Sequence, residues 1–191
     1  MNLDSKVLYI QSSVDENFRL ILDTKWNATI PGHRAEIRNC MARDFSAHFS
    51  RQQLAQLNDF TWVPQTSDGH VSISHCQLLG GFAYSKFRIG FDVEEKSRIS
   101  VKILKRTSDD SEFTGCPLPQ FLWVAKEAGF KALSAGGSDL VLSDLTCSDW
   151  RSHNENQLFS FRLNSKKTLD FGLNKGFIFS EGVCLFAVFL K

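Results

Sequence analysis

The stretch Phe87-Arg88-Ile89-Gly90-Phe91-Asp92-Val93-Glu94-Glu95 decides how the rest of the chain is read. Ile89, Phe91 and Val93 alternate with Gly90, Asp92 and Glu94, the period of a half-buried strand whose apolar set faces a core. Asp92 and Glu94 then leave the strand on one face, a pleat apart, with only the bare Gly90 beside them. Two carboxylates at ~4 Å repel by about 4 kcal/mol at an effective dielectric of ~20. Such a pair is tolerated when it is solvated, shares a proton or holds a cation. Alone, an Asp-x-Glu reads as a solvated acidic face, so the neighbouring elements must decide.

Outward from this strand the chain is ordinary for a globular protein. Its 191 residues suffice for one sizeable core or two small ones. A net charge of +1 gives no global field for nucleic acid or an anionic membrane, so neither is expected as a partner. Cys40, Cys76, Cys116, Cys147 and Cys184 are dispersed, odd in number and free of any Cys-x-x-Cys. That argues against a zinc ribbon or disulfide scaffold and for a reducing compartment. Met1 to Lys6 carry no signal-peptide pattern, and the longest apolar run, residues 183–190, is too short to span a bilayer. The expectation is a cytoplasmic monomer.

In chain order, residues 7–10 and 18–22 read as strands, and Pro31-Gly32 breaks the chain. Ile37, Met41, Phe45 and Phe49 have helical spacing over residues 33–49, with Arg34, Arg38 and Arg43 toward the polar side. Ser50-x-x-Gln53 is a capping box that starts a second helix, and residues 58–70 form a loop. Strands at 71–75, 80–85 and 88–94 have short connections, which predicts an antiparallel meander. Arg98, Lys102, Lys105 and Arg106 would line one helix face, and Asp109 to Glu112 make a polar turn. Pro117 and Pro119 introduce a helix over 121–133 with the stripe Phe121, Val124, Ala128 and Ala132. Trp123, Glu127 and Lys131 share another face, where Glu127 and Lys131 suit an intrahelical ion pair. Gly136-Gly137 ends that helix, and runs 140–145, 158–163 and 183–190 are strands, with hairpin signals at Asn174-Lys175-Gly176 and Glu181-Gly182. The order predicts an α+β protein built as a pseudo-twofold pair of similar halves, 1–100 and 101–191. Each half is an antiparallel sheet packed with a long helix, and the site lies at their seam.

Three motifs fall in order: Ser72-Ile73-Ser74-His75, then Gly90-Phe91-Asp92-Val93-Glu94, then Trp123-Val124-Ala125-Lys126-Glu127-Ala128-Gly129-Phe130-Lys131. Together they resemble the 4′-phosphopantetheinyl transferase superfamily, in its two-halved type. The likeness covers residues 33–133, with Arg34 to Arg43 similar to the basic helix preceding the family's core. It implies transfer of the phosphopantetheine arm from coenzyme A, as co-substrate, to a serine of an apo acyl or peptidyl carrier protein, with release of 3′,5′-ADP. It also implies Mg²⁺ on Asp92, Glu94 and Glu127, oxygen ligands suited to a hard cation. Glu127 is the implied base and Lys131 the lysine facing the attacked phosphate. Arg34, Arg43, Ser74 and His75, with Asp92, are the implied coenzyme A contacts, and the run Arg98 to Arg106 would meet an acidic carrier. One departure stands out. The segment Asn58-Asp59-Phe60-Thr61-Trp62-Val63-Pro64 keeps Trp62 and Pro64 but lacks the family's basic residue. It motivates a second expectation, a catalytically weak relative that binds carrier or coenzyme A without efficient turnover. A third is an unrelated α+β protein whose charged motifs are surface features.

Overall fold

The computed structural model describes residues 3–44, 69–134, 139–153 and 157–191. Five helices occur among them: α1 Leu3–Ser13, α2 His33–Asp44, α3 Val101–Thr107, α4 Asp110–Gly115 and α5 Pro119–Leu133. The eight strands are β1 Arg19–Asp23, β2 His70–His75, β3 Gly80–Ser85, β4 Ile89–Glu95, β5 Leu145–His153, β6 Leu158–Ser165, β7 Lys175–Glu181 and β8 Cys184–Leu190. They form two antiparallel sheets, β1-β3-β2 and β4-β8-β7-β6-β5. The fold is α+β. The expected helix at 50–57, the loop up to residue 68 and the Gly136-Gly137 stop lie outside the described residues.

Burial explains the layering. Every residue of β8 is buried, because β8 lies inside the larger sheet and is covered on both faces, so it reads as an unbroken apolar run. Leu185, Ala187 and Phe189 face α5, whose Phe121, Val124, Ala128 and Ala132 form the expected stripe. Phe186, Val188 and Leu190 face the opposite core, with Ile10 of α1, Leu20 of β1 and the β4 set Ile89, Phe91 and Val93. A third cluster packs Ile37 and Met41 of α2 on Trp26, Phe82 and Tyr84. Among the described residues no helix is long and apolar enough to cross a membrane.

Several local expectations are corrected. Residues 7–10 belong to α1, whose buried positions Lys6 and Ile10 are four apart; a four-residue apolar run fits either period. Of the meander, only the β2–β3 hairpin forms, since β4 leaves β3 and pairs with β8 from Ile89↔Leu190 to Glu95↔Cys184. The N–H groups of Phe91 and Val93 face away from β8 and donate instead to the hydroxyls of Ser72 (2.9 Å) and Ser74 (3.3 Å). Arg98 sits on a separate 3-10 turn ahead of the Ser100 cap of α3, so it does not share a helix face with Lys102, Lys105 and Arg106. Asp109 to Glu112 start α4 rather than a turn, because the Glu112 carboxylate accepts from the Asp109 N–H (3.0 Å). That buried carboxylate also accepts from Lys126 Nζ (2.8 Å) and Cys147 N (2.8 Å). β5 begins only at Leu145, after a 3-10 turn at 142–144. The Glu181-Gly182 hairpin forms as read, with Gly182 at φ +57°.

Gly90 sets the distance between sheet and helix. A Cβ there would strike the Ala128 carbonyl and come within 2.7 Å of the Ala132 nitrogen. Gly90→Ala should therefore lower stability by about 3 kcal/mol, near the upper end for overpacking. A Cβ on Gly115 meets nothing within 4 Å, so Gly115→Ala should stay within about 0.5 kcal/mol of the parent. Urea midpoints of both variants check the pair.

Candidate active site

The close seating of α5 on β4 opens a cavity of about 420 Å³ between α2, the end of β2, β4 and α5. Each element delivers side chains by its own period. α2 contributes Arg34 and Arg38, one turn apart, and α5 contributes Trp123, Glu127 and Lys131 at steps of four. Ser74 and His75 end β2, and Asp92 and Glu94 come from alternate positions of β4.

Most of the expected residues meet here: Arg34, Ser74, His75, Asp92, Glu94, Glu127 and Lys131 all line the cavity. Arg43 does not. It lies in a separate concavity with Asp23 and Trp26, and its Nε donates to Asp44 (3.1 Å). The reason is angular: nine residues at 100° each carry Arg43 about 180° around α2 from Arg34. Arg38, four residues on, stays on the cavity side and is buried. Arg38 and Trp123 are thus site residues that sequence reasoning left unassigned, though helical spacing from Arg34 and Glu127 marks both.

Lys131 is fully engaged. Its Nζ donates to Asp92 Oδ1 (2.8 Å), the Phe91 carbonyl (3.0 Å) and Ser74 Oγ (3.1 Å), one acceptor for each proton. The expected intrahelical pair with Glu127 is not made; acceptors on β2 and β4 take the ammonium group. Ser74 is saturated as well, because its hydroxyl donates to Asp92 Oδ1 (2.8 Å) while accepting from Lys131 and the Val93 N–H. Asp92, 7% exposed, keeps its second oxygen without a partner among the described residues.

The remaining groups divide by sign. Arg34 Nε donates to His75 Nε2 (2.9 Å), so the neutral ring carries its proton on Nδ1, a buried donor without a partner. Burial, then the neighbouring His33, Arg34 and Lys131, push the His75 pKa down to about 4, which keeps the ring neutral near pH 7. On the facing wall, burial raises the Glu127 pKa, and Asp92 adds to the rise; Lys131 opposes it and Glu94 adds a smaller push. Burial also raises that of Glu94, whose Oε1 accepts from the Glu95 N–H (2.9 Å) and lies 3.6 Å from Arg98. Glu127 makes no hydrogen bond or ion pair among the described residues.

The donor set fits a hard cation in kind, since Asp92, Glu94 and Glu127 offer carboxylate oxygens around one cavity. It is not gathered into a cluster: among the described residues no three of His, Cys, Asp and Glu are close enough to hold a metal ion. Asp92, Glu94 and Glu127 are the residues that would hold such a cation, which would supply positive charge to the cavity.

Lys131→Met should destabilise the fold by about 2 kcal/mol, because it strips Asp92, Ser74 and the Phe91 carbonyl of one donor each. Adding Asp92→Asn should recover part of that loss in urea unfolding. The Glu127 pKa is higher folded than unfolded, so its proton favours the folded state: its contribution to stability is fully present below about 4.5 and is lost as pH rises through the folded value. Glu127→Gln should flatten that fall in midpoints measured across pH. By sequence comparison the chain matches no protein-family model and no curated protein, which leaves the functional reading to the chemistry of the cavity.

Proposed function

We propose that the chain transfers the 4′-phosphopantetheine arm of coenzyme A to a serine hydroxyl of an apo acyl or peptidyl carrier protein, releasing 3′,5′-ADP. One observation supports this above others: Arg34, Arg38 and His75 line one cavity together with the carboxyl-bearing residues Asp92, Glu94 and Glu127. A pyrophosphate bridged to a cation has that charge pattern. The serine oxygen attacks the phosphorus that bears pantetheine, a new P–O bond forms, and the bond to the departing 3′,5′-ADP oxygen breaks. The Glu127 carboxylate, its basicity raised by burial and by Asp92, takes the hydroxyl proton. Mg²⁺, held by Asp92, Glu94 and Glu127, would supply positive charge to the pyrophosphate oxygens when bound. Arg34 and His75 orient the phosphates, and Lys131 holds Asp92 and Ser74 in place.

We also infer the pseudo-twofold arrangement of residues 1–100 and 101–191, acting as a monomer in a reducing cytoplasm. The antiparallel β4–β8 pair, centred on Asp92↔Ala187, supports a local axis between the halves, and all five cysteines are free thiols. Exposed Lys102 and Lys105 on α3 remain the proposed contact for an acidic carrier. A second reading has a specific observation behind it. Because every Lys131 proton is spent on the protein, a phosphate gains a lysine donor only by displacing one of those bonds. Binding without efficient turnover follows if none is displaced.

Incubation with coenzyme A, Mg²⁺ and a panel of apo carriers, followed by weighing of the carriers, separates the readings. A mass gain of one phosphopantetheine arm is expected. Its absence throughout, with coenzyme A still bound, favours the binding protein, and failure to bind coenzyme A with Mg²⁺ leaves neither standing. Glu127→Gln should lower kcat by about 10²–10⁴-fold while changing coenzyme A affinity little. Charge reversal at Lys102 and Lys105 should raise the KM for carrier and spare that for coenzyme A.

A further inference from the structure

A further concavity, of about 330 Å³, lies on the larger sheet around Arg151, Ser160, Arg162 and Lys175. A β-bulge builds it. Ser148 pairs with Arg162 and Arg151 with Ser160, so two residues of β5, Asp149 and Trp150, stand opposite the single Phe161 of β6. Strict alternation from Leu145 and Cys147 would turn Arg151 toward the core beneath α5. The extra residue, with Asp149 at φ +55°, flips the parity and puts Arg151 on the face of Arg162 and Ser160. Ser160 pairs in turn with Phe177, two residues from Lys175 on β7, so all three cations share one face.

We propose that this bulge-built pocket binds a small phosphate-bearing anion, gripped by Arg151, Arg162 and Lys175. Charge sets the ligand class. Three cations face one carboxylate, Asp149, which lies 4.0 Å from Arg162 with both side chains largely exposed. Such a pair contributes little. The residual charge of about +2 matches a phosphate group, which carries roughly −1.5 to −2 near pH 7. Guanidinium forks suit its oxygens. Arg151 and Lys175 make no hydrogen bond or ion pair among the described residues, while the Lys175 ammonium lies 5.3 Å above the Phe177 ring. The mutual repulsion is felt locally: burial and then Arg162 lower the Lys175 pKa, and burial, Lys175 and Arg151 lower that of His153. His153 Nε2 and Ser160 Oγ are hydrogen-bonded (2.9 Å), which fixes a hydroxyl at the pocket floor. Leu173 adds apolar lining that inorganic phosphate would leave unused and a phosphorylated organic molecule would cover. The inference does not depend on the proposed transferase activity.

The test is a titration of the intact chain with inorganic phosphate, and separately with citrate, at low salt. It is followed through the side-chain Nε–H resonances of Arg151 and Arg162, with Arg34 reporting the other cavity. Saturable shifts at Arg151 and Arg162 are expected with phosphate, weakened about tenfold by Arg151→Ala. Asp149→Asn tolerates the same backbone conformation and should tighten binding, an outcome that loss of folding cannot mimic. Shifts confined to Arg34, insensitivity to both variants, or tighter binding of citrate than of phosphate would overturn the assignment.

Discussion

An open sheet edge is the constraint on which the rest of this structure turns. Among the described residues β4 is hydrogen-bonded to β8 on one side only, and none of the described strands continues the ladder on the other. A buried amide without a partner costs about 1–3 kcal/mol. Here Ser72 and Ser74 reach across to the N–H groups of Phe91 and Val93, and Lys131 caps the Phe91 carbonyl. Hydroxyls thus replace a neighbouring backbone, and the smaller sheet is stitched to the larger one by side chains. The same serine that closes the edge also fixes Asp92, so closure of the edge and placement of a carboxylate are one network.

That network explains why the opposing charges do not collapse onto one another. Among the described residues of the cavity lining, Lys131 is the lysine and is consumed on Asp92 Oδ1, while Glu94, Glu127, Arg34 and Arg38 line the same cavity. Gly90 is the other half of the arrangement, because only a bare Cα admits the α5 backbone close enough for Lys131 to reach β4. Packing and electrostatics meet at consecutive alternate positions of one strand.

Much of the site was legible because it rests on short-range periods. Alternation in β4 placed Asp92 and Glu94 together, and steps of four on α5 placed Glu127 with Lys131. Two features were hidden. The destination of β4 depends on pairing with a strand about ninety residues later, which no local pattern encodes. The partner of Lys131 depended on competition between Glu127 nearby and three acceptors from another element, decided by how closely the helix sits. The misreading of residues 7–10 has a simpler cause, a run too short for its period to be told. Arg43 failed through an angle that the sequence did contain.

The buried Glu112–Lys126 pair carries a mechanical consequence. Lys126 also donates to the Thr107 carbonyl, so the middle of α5 is keyed to α3, α4 and β5, while Lys131 keys its C-terminal turn to β4. A rod gripped at two points along its length cannot roll about its own axis. The bearing of Trp123 and Glu127 is therefore set before any ligand arrives. Glu94 and the arginines of α2 sit on elements outside that double grip, like the loose jaw of a vice beside a fixed one.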